Sequence, residues 1–536
     1  MTKGVEFEMN GFAETALQFI NSTSGHIFFT GKAGTGKTTF LKNLTLHTHK
    51  QFVVVAPTGI AALNAGGVTI HSQFLLPLGT FVPGRSDASD LNVEENVYTQ
   101  NTLARKHPLN SIRKQVLRSI DLLVIDEVSM LRADILDAID YRLKAARGNF
   151  GKDFGGVQLL LIGDLYQLPP VVRRNEESLM RRNYSSPWFY ESLALKQSGF
   201  VYIELEKIFR QQDNTFIHIL NNLRNNTPTV SDIEELNRHY LPEVEIGNLK
   251  EVITLTTHNY KADEMNVNAL RSLETDSHFF EAEIEGEFPE SMYPVQSRLE
   301  LKEGAQIMFI RNDSENQMYF NGKLATVNKI SGYSVTVILA DSHTCFELKR
   351  EIWENKKYTI NKDNNDLDDE VIGTFSQYPV KLAWAITVHK SQGLTFEKAI
   401  VDVGQAFTGG QVYVALSRLR SLDGLILRSI INPGVISADH QIVSFSENNN
   451  KPEELPEVMK RKQTEFISLL VERTFDFSGL TKEIGYISKS DKHTATLDDP
   501  SMKPVLEQIG TALDQERENT MRFRRQLIDL IKINDQ

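Results

Sequence analysis

Short apolar runs recur along the first part of the chain, and each stops abruptly at a glycine, a proline or a carboxylate. His26-Ile-Phe-Phe-Thr30, Phe52-Val-Val-Val-Ala56, Leu122-Leu-Val-Ile125 and Val157-Gln-Leu-Leu-Leu-Ile162 are aliphatic, aromatic or β-branched almost throughout. Runs of this kind are strands buried on both faces. Helix-compatible stretches separate them: Phe12–Ile20, Thr39–Leu44, Ile60–Ala65 and Ser111–Ser119. The alternation predicts an α/β fold, a mostly parallel sheet with helices on both faces and ligands at the strand carboxyl ends.

The pattern loosens from 73 to 110, where Pro77, Gly79, Pro83 and Gly84 precede a polar run through Asp87–Asn101. This reads as an insertion, part loop and part hairpin. Past Trp188 the alternation resumes, with helices at Thr215–Arg224 and Ser231–His239 before a strand at Val252–Thr256. Residues 292–372 differ. Strand-like runs such as Ala305–Ile310 and Ser334–Leu339, turns such as Asn321-Gly322 and the absence of a helical stretch predict an all-β insert ending in the acidic loop Lys362–Glu370. Lys398–Val403 restores the α/β pattern. From 431 the chain passes through a linker at Asn448–Pro456 into charge-rich helical segments such as Gln515–Ile533, a solvated appendage or an arm for a protein partner.

Composition narrows this reading. A chain of 536 residues is too long for one core, and 40% hydrophobic with 24% charged residues is ordinary for a globular protein. The single cysteine, Cys345, excludes an intrachain disulfide framework and a multi-cysteine zinc site. No apolar run approaches the roughly 20 residues that span a bilayer, and the N-terminus lacks a signal-peptide pattern, so a cytoplasmic enzyme without membrane partners is expected. A net charge of −12 weighs against a nucleic-acid partner, yet the carboxylates crowd into 281–303 and 363–370, which leaves room for a polar or basic channel.

The chemistry begins at Gly31-Lys-Ala-Gly-Thr-Gly-Lys37-Thr38, a phosphate loop between a strand and a helix. Its glycines let backbone N–H groups curl around a phosphate chain, and the new helix points its positive end at the same charge. Lys37 is expected to reach the β/γ-phosphates, and Thr38 to hold Mg²⁺. Asp126-Glu127 ends a strand, so Asp126 is expected to help hold the metal and Glu127 to deprotonate water. Gln167, in Gly163-Asp-Leu-Tyr-Gln-Leu-Pro-Pro170, is placed to sense the γ-phosphate. Arg210 and Arg418 are candidate cations for the charge that develops in phosphoryl transfer. Pro57, Thr58, Gly59, Thr69, His71 and the run Thr387, Val388, His389, Lys390, Ser391 offer loop hydroxyls, imidazoles and a lysine to a single strand. Phe81 and Tyr319 could stack on bases, whereas Phe74 reads as core.

In order, Gly31–Thr38, Ala56-Pro-Thr-Gly-Ile-Ala-Ala62, Thr69-Ile-His-Ser72, Val124-Ile-Asp-Glu127, Gly163-Asp164 with Gln167-Leu-Pro-Pro170, Phe209-Arg-Gln211, Trp384–Gly393 and Tyr413-Val-Ala-Leu-Ser-Arg418 resemble the Pif (petite integration frequency) helicases of superfamily 1B. Phe154–Asp164 resembles a segment peculiar to that family and unlike its RecD and Dda relatives. The resemblance covers roughly 10–430. It implies two RecA-like P-loop domains, 1–72 with 111–200 and 201–291 with 373–430. It further implies a strand-separating wedge at 73–110, an SH3-like insert at 292–372 and a helical extension at 431–536. ATP and Mg²⁺ would lie between the domains, with Gly31, Ala33, Gly34, Thr35, Gly36, Thr39 and Gly393 also against the nucleotide. Single-stranded DNA would lie across both domains, with 5′-to-3′ travel and forked, R-loop or G-quadruplex substrates, and roles in repair, recombination and telomere maintenance. A monomer is expected. Two departures stand out: Ala325 replaces a usual glycine, and Glu14 falls where an adenine-reading glutamine is expected. Two other readings share these residues, an ATP-gated nucleic-acid clamp that does not separate strands and an RNA-directed motor.

Overall fold

The computed structural model describes residues 11–84, 97–211, 213–242, 251–313, 318–340, 342, 344–361, 366–403, 410–432, 440–489 and 502–533. The chain forms two compact units, Met1–Leu17 with His26–Asn450 and Gln18–Gly25 with Lys451–Gln536.

In the larger unit six strands make one parallel sheet, in the order Val68–Thr69, Phe52–Ala56, Leu122–Ile125, Gln158–Ile162, Ile27–Gly31, Val201–Leu205. Leu122–Ile125, Gln158–Ile162 and Ile27–Gly31 are buried at every position, as continuous apolar runs require. Val55 pairs with Ile125, Ile125 with Leu161 and Phe29 with Ile162. This register ends the four runs level, so the loops that follow them emerge at one edge. Val201–Leu205 was expected to open the second domain. It instead pairs with all five residues of Ile27–Gly31 and completes the first sheet, because four of its five side chains are buried there.

The 73–110 insertion is not a hairpin. Thr80–Val82 and Val97–Thr99 pair in parallel, so the chain crosses over between them, and a helix, Gln100–Lys106, follows. Residues 85–96, which hold most of the polar run, lie outside the described residues. Phe74 and Phe81 are both buried in the main core, which removes Phe81 as a base-stacking candidate. The insertion is pinned from below. Buried Arg142 donates to the carbonyls of Leu75 (2.8 Å), His107 (2.8 Å) and Leu103 (3.3 Å).

A second parallel sheet runs Ala385–Thr387, Ile253–Thr256, Ala399–Asp402, Leu425–Leu427. The β-rich insert is wider than 292–372, extending from His278 to Leu382. Five antiparallel strands form its barrel-like part, and Tyr319 stacks on Phe309 at 3.9 Å within it, so this ring closes a core rather than offering a face to a base. A separate sheet contains the long hairpin Glu351–Ile360 and Leu367–Gln377. Asp368–Glu370, expected in a loop, are on the second of these strands, while 362–365 lie outside the described residues. The hairpin reaches the first sheet: the Val54 N–H donates to the Tyr358 hydroxyl at 3.0 Å, and the Leu367 N–H to Gln51 Oε1 at 3.1 Å.

The expected tail boundary also moves. Helix His440–Asn449 belongs to the larger unit, where Phe445 stacks on Tyr190 at 4.0 Å. Helices Leu455–Thr474, Ser478–Lys489 and Met502–Ile533 make up most of the smaller unit. Among the described residues no helix is long and apolar enough to cross a membrane.

Arg142→Met should strand three carbonyls without their donor and cost about 3 kcal/mol. The check is a lower thermal midpoint, with faster amide exchange concentrated in 97–109.

A cleft between the two parallel sheets

The phosphate loop leaves Ile27–Gly31 and enters the helix Lys37–His47 through Gly36, whose φ of 95° suits glycine. Gly34 is constrained from outside as well: its φ is 81°, and a Cβ there would meet the Arg210 Cβ at 2.4 Å. The segment Phe209-Arg210-Gln211, on the chain's way from the first sheet to the second and hereafter the linking segment, thus lies directly on the loop, and the Phe209 N–H donates to the Gly34 carbonyl at 2.9 Å. The Lys37 ammonium is turned onto the loop's own carbonyls, Gly31 at 2.6 Å and Lys32 at 3.0 Å. Burial holds its pKa below the ordinary lysine range.

Asp126 and Glu127 follow the next strand but one in space. The Asp126 N–H donates to the Val55 carbonyl, and Glu127 adopts a left-handed φ of 52°, a strained geometry for glutamate. Burial, with the neighbouring Asp126 carboxylate second, pushes Glu127 up to about 7. Burial also raises Asp126. Gln167 donates to Asp164 at 3.2 Å, and its own carbonyl accepts from Gln392 of the second sheet's loop at 3.3 Å.

The second lobe closes on this edge. The Ala33 N–H donates to the Tyr413 hydroxyl at 3.4 Å. The Ser417 carbonyl accepts from Arg210 Nη1 at 3.2 Å and from Gln211 Nε2 at 3.0 Å. Arg418, 1% exposed, is held by its Nε to the Val414 carbonyl at 3.0 Å. Burial, reinforced by Arg418, lowers Arg210 to about 9; burial alone leads for Arg418, with Glu127 pulling the other way. Both arginines line the same cleft of about 2750 Å³ as Lys37, Thr38, Asp126, Glu127 and Gln167.

The other expected residues divide. Ala33, Gly34, Thr35, Gly36, Thr39, Gly393, Thr58, Thr387, His389 and Lys390 line the cleft. Gly31, Pro57, Gly59, Thr69, His71 and Ser391 do not. Thr69 caps the short helix Ile70–Phe74 by accepting from the Ser72 N–H at 3.2 Å, and the Ser391 hydroxyl is buried on the Val388 carbonyl at 2.7 Å. Burial, with Arg132 second, lowers His71. Over Gly59 sits the carbonyl of Ser291, 3.0 Å from where a Cβ would be. Glu14 is exposed on the helix Gly11–Ser22 and lines none of the cleft.

Four contributors were missed. Gln392 and Tyr413 lay inside quoted motifs, but only their contacts give them a role. Arg224 looked like an ordinary cation at a helix end. It is buried against Glu204 at 2.9 Å and Asp164 at 3.6 Å, over the ring of Tyr166. Lys381 also lines the cleft, and burial beside Lys390 lowers it to about 8.

Among the described residues no group of three histidines, cysteines or carboxylates could hold a metal. The donors that remain, the exposed Thr38 hydroxyl and one carboxylate at Asp126, suit Mg²⁺, which takes few protein ligands and fills its shell with water and phosphate.

Comparison with known proteins bears on this site. A family model described as PIF1-like helicase matches residues 10–232. The ATP-dependent DNA helicase Pif1 of Psychrobacter sp. (strain PRwf-1) is 30% identical over 471 residues, covering 77% of this chain and 67% of that protein. The crystal structure of Bacteroides sp. Pif1 in complex with ADP-AlF4 is 36% identical, covers 83% of this chain and 97% of its own, and superposes with a TM-score of 0.75. Bacteroides Pif1 bound to single-stranded DNA, with the same identity and coverage, superposes at 0.58.

Because Glu127 holds its proton more tightly folded than unfolded, its contribution to stability is present at low pH and is lost as pH rises through about 7. Glu127→Gln should therefore raise the thermal midpoint of nucleotide-free protein at about pH 8 and change it far less at about pH 5. Calorimetry across that range checks it.

Proposed function

This chain belongs to the PIF1-like helicase family, and on that premise we propose that it hydrolyses ATP to move 5′ to 3′ along single-stranded DNA and separate the strands ahead of it. The observation that carries the reading is the convergence of Lys37, Arg210 and Arg418 on one cleft, with Gln167 and Gln392 touching across it. A triphosphate there would satisfy cations from both lobes.

In the proposed cycle Lys37 leaves its loop carbonyls for the β/γ-phosphates, and the loop N–H groups take the remaining oxygens. Bound Mg²⁺, held by Thr38 and Asp126, would supply charge neutralisation on the phosphates. Glu127 accepts the proton of the attacking water, a task suited to a carboxylate pushed towards neutral pH. Arg418 and Arg210 stabilise charge on the transferred group, and Gln167 registers its departure and passes it to Gln392. Relaxation of that contact frees the second lobe to shift along the strand. Thr58, Thr387, His389, Lys390 and Lys381 are the proposed strand contacts, and the 73–110 insertion is the proposed wedge. Forked, R-loop and G-quadruplex structures are the proposed substrates.

Lys37→Ala should abolish ATP-driven unwinding, and Arg418→Ala should lower kcat by about 10³ with ADP binding retained. With ATP and Mg²⁺, a duplex bearing a 5′ single-stranded overhang should be unwound and one with a 3′ overhang left intact. Equal unwinding of both would refute the polarity. Removing one phosphate contact with Lys381→Met should flatten the plot of log affinity for single-stranded DNA against log salt by about 0.7. An unchanged slope would exclude Lys381 from the strand path.

A further inference from the structure

The C-terminal helix Met502–Ile533 carries two stripes. Leu506, Leu513 and Leu527 are half-buried within the smaller unit, where Gly510 lets Ile484 approach to 3.0 Å from its would-be Cβ. Beside that stripe runs a second, from residue 502 to 533 at alternating spacings of three and four. This is the seam of a coiled coil. Its large apolar members, Met502, Val505, Ile509, Phe523, Leu530 and Ile533, are between 42% and 66% exposed. Phe523 touches Phe475 only edge to face, with ring centres 5.3 Å apart.

The order of residues along this stripe says what covers it. A parallel copy in register would set Glu516 against Glu516 and Ala512 against Ala512, a charge repulsion next to a void, with Phe523 crowding Phe523 one heptad on. Reversing the second helix about a point between 517 and 518 removes each of these three conflicts and leaves one uneven pair, Ile509 level with Gln526, whose methylenes can lie along the isoleucine. Met502 then meets Ile533, Val505 meets Leu530, and the small Ala512 faces the large Phe523. Glu516 lies level with Asn519, an amide that can donate to it, and one turn from Arg522. Among the described residues Arg522 makes a loose, exposed contact with Glu518 at 3.4 Å, one weak enough to give way to a partner's carboxylate. The two halves of the helix also lean to opposite signs: Lys503, Glu507, Asp514, Glu516 and Arg517 before the centre leave one negative charge in excess, and Glu518, Arg522, Arg524, Arg525, Asp529 and Lys532 after it leave two positive charges in excess.

We propose that this stripe is a dimer interface, in which two copies of the chain pair their C-terminal helices antiparallel about a two-fold axis. The pairing is isologous and closed, so it stops at two. The partner expected at the C-terminal arm is thus a second copy, and the dimer replaces the expected monomer. None of the cleft's residues takes part, so the proposal stands apart from the helicase reading.

Sedimentation equilibrium of the full-length chain at micromolar concentration tests it. The expected mass is twice 60.8 kDa. Ile509→Glu and Leu530→Glu, both at exposed positions, should each weaken dimerisation at least tenfold while circular dichroism and ATPase activity stay at wild-type levels. Orientation is read by disulfide trapping in a Cys345→Ser background. Residues 512 of two antiparallel copies would lie about 16 Å apart along the axis. Ala512→Cys alone should therefore stay uncrosslinked, whereas Ala512→Cys with Phe523→Cys should form a covalent dimer. A 60.8 kDa monomer for the wild type, a dimer indifferent to both glutamates, or trapping by Ala512→Cys alone would each overturn the proposal.

Discussion

Positive charge gathered at one sheet edge and held there mostly by backbone carbonyls is the condition on which this architecture turns. Arg418 is buried and Lys37 and Arg210 are half-buried at the edge of the first sheet, and burial is the leading cause that lowers the pKa of each. Their present partners are mostly backbone carbonyls: those of Gly31 and Lys32 for Lys37, Ser417 for Arg210, and Val414 for Arg418. Carbonyl dipoles offset only part of the cost of removing such cations from water. Asp164 and Glu127 offset a further part for Lys37 and Arg418, although burial raises the pKa of Glu127 and of Asp126. A polyanion would supply the remainder, and because the cations come from both sides of the cleft, it would tie the sides together.

The rest of the molecule can be understood as support for this edge. The level register of the first sheet delivers the phosphate loop, Asp126-Glu127 and Gly163-Asp164 to one place. Arg224 fixes Asp164 from the far side, and Asp164 in turn holds Gln167. Ser417 is shared by Arg210 and Gln211, so the linking segment and the Arg418 segment are keyed to each other. The hairpin that meets the first sheet at Val54 adds a second tie between the β-rich insert and the nucleotide-binding sheet, well away from the cleft.

Most of this could be read from residue order, for a physical reason. Parallel strands buried on both faces must be continuous apolar runs, and a phosphate loop needs its glycines and lysine at fixed spacing. Helix and strand limits for Phe52–Ala56, Ser111–Ser119 and Leu122–Ile125 accordingly agree with expectation. Long-range pairing was not legible. Val201–Leu205 has the composition of any buried strand, and only its partners assign it to the first sheet. The parallel pairing of Thr80–Val82 with Val97–Thr99 depends on a crossover that local turn residues do not specify. Within the site, Arg224 and Lys381 carried no local signal, because a cation at a helix end or on a short strand is ordinarily solvated. Ser391 failed in the opposite direction, since a hydroxyl in a motif can serve the turn that presents the motif.

On the proposed function, a triphosphate completes a cation set drawn from both lobes. The most direct test of this claim is the thermal stabilisation conferred by a non-hydrolysable ATP analogue with Mg²⁺, compared with that conferred by ADP, in the wild type and in a protein lacking both Arg210 and Arg418 as methionines. With both ligands at one concentration, a hundredfold above the analogue's Kd, the wild type should be stabilised by about 2.7 kcal/mol by the triphosphate and by less with ADP. In the double variant that advantage over ADP should vanish while ADP stabilisation persists. A double variant that keeps the full triphosphate advantage would contradict the claim.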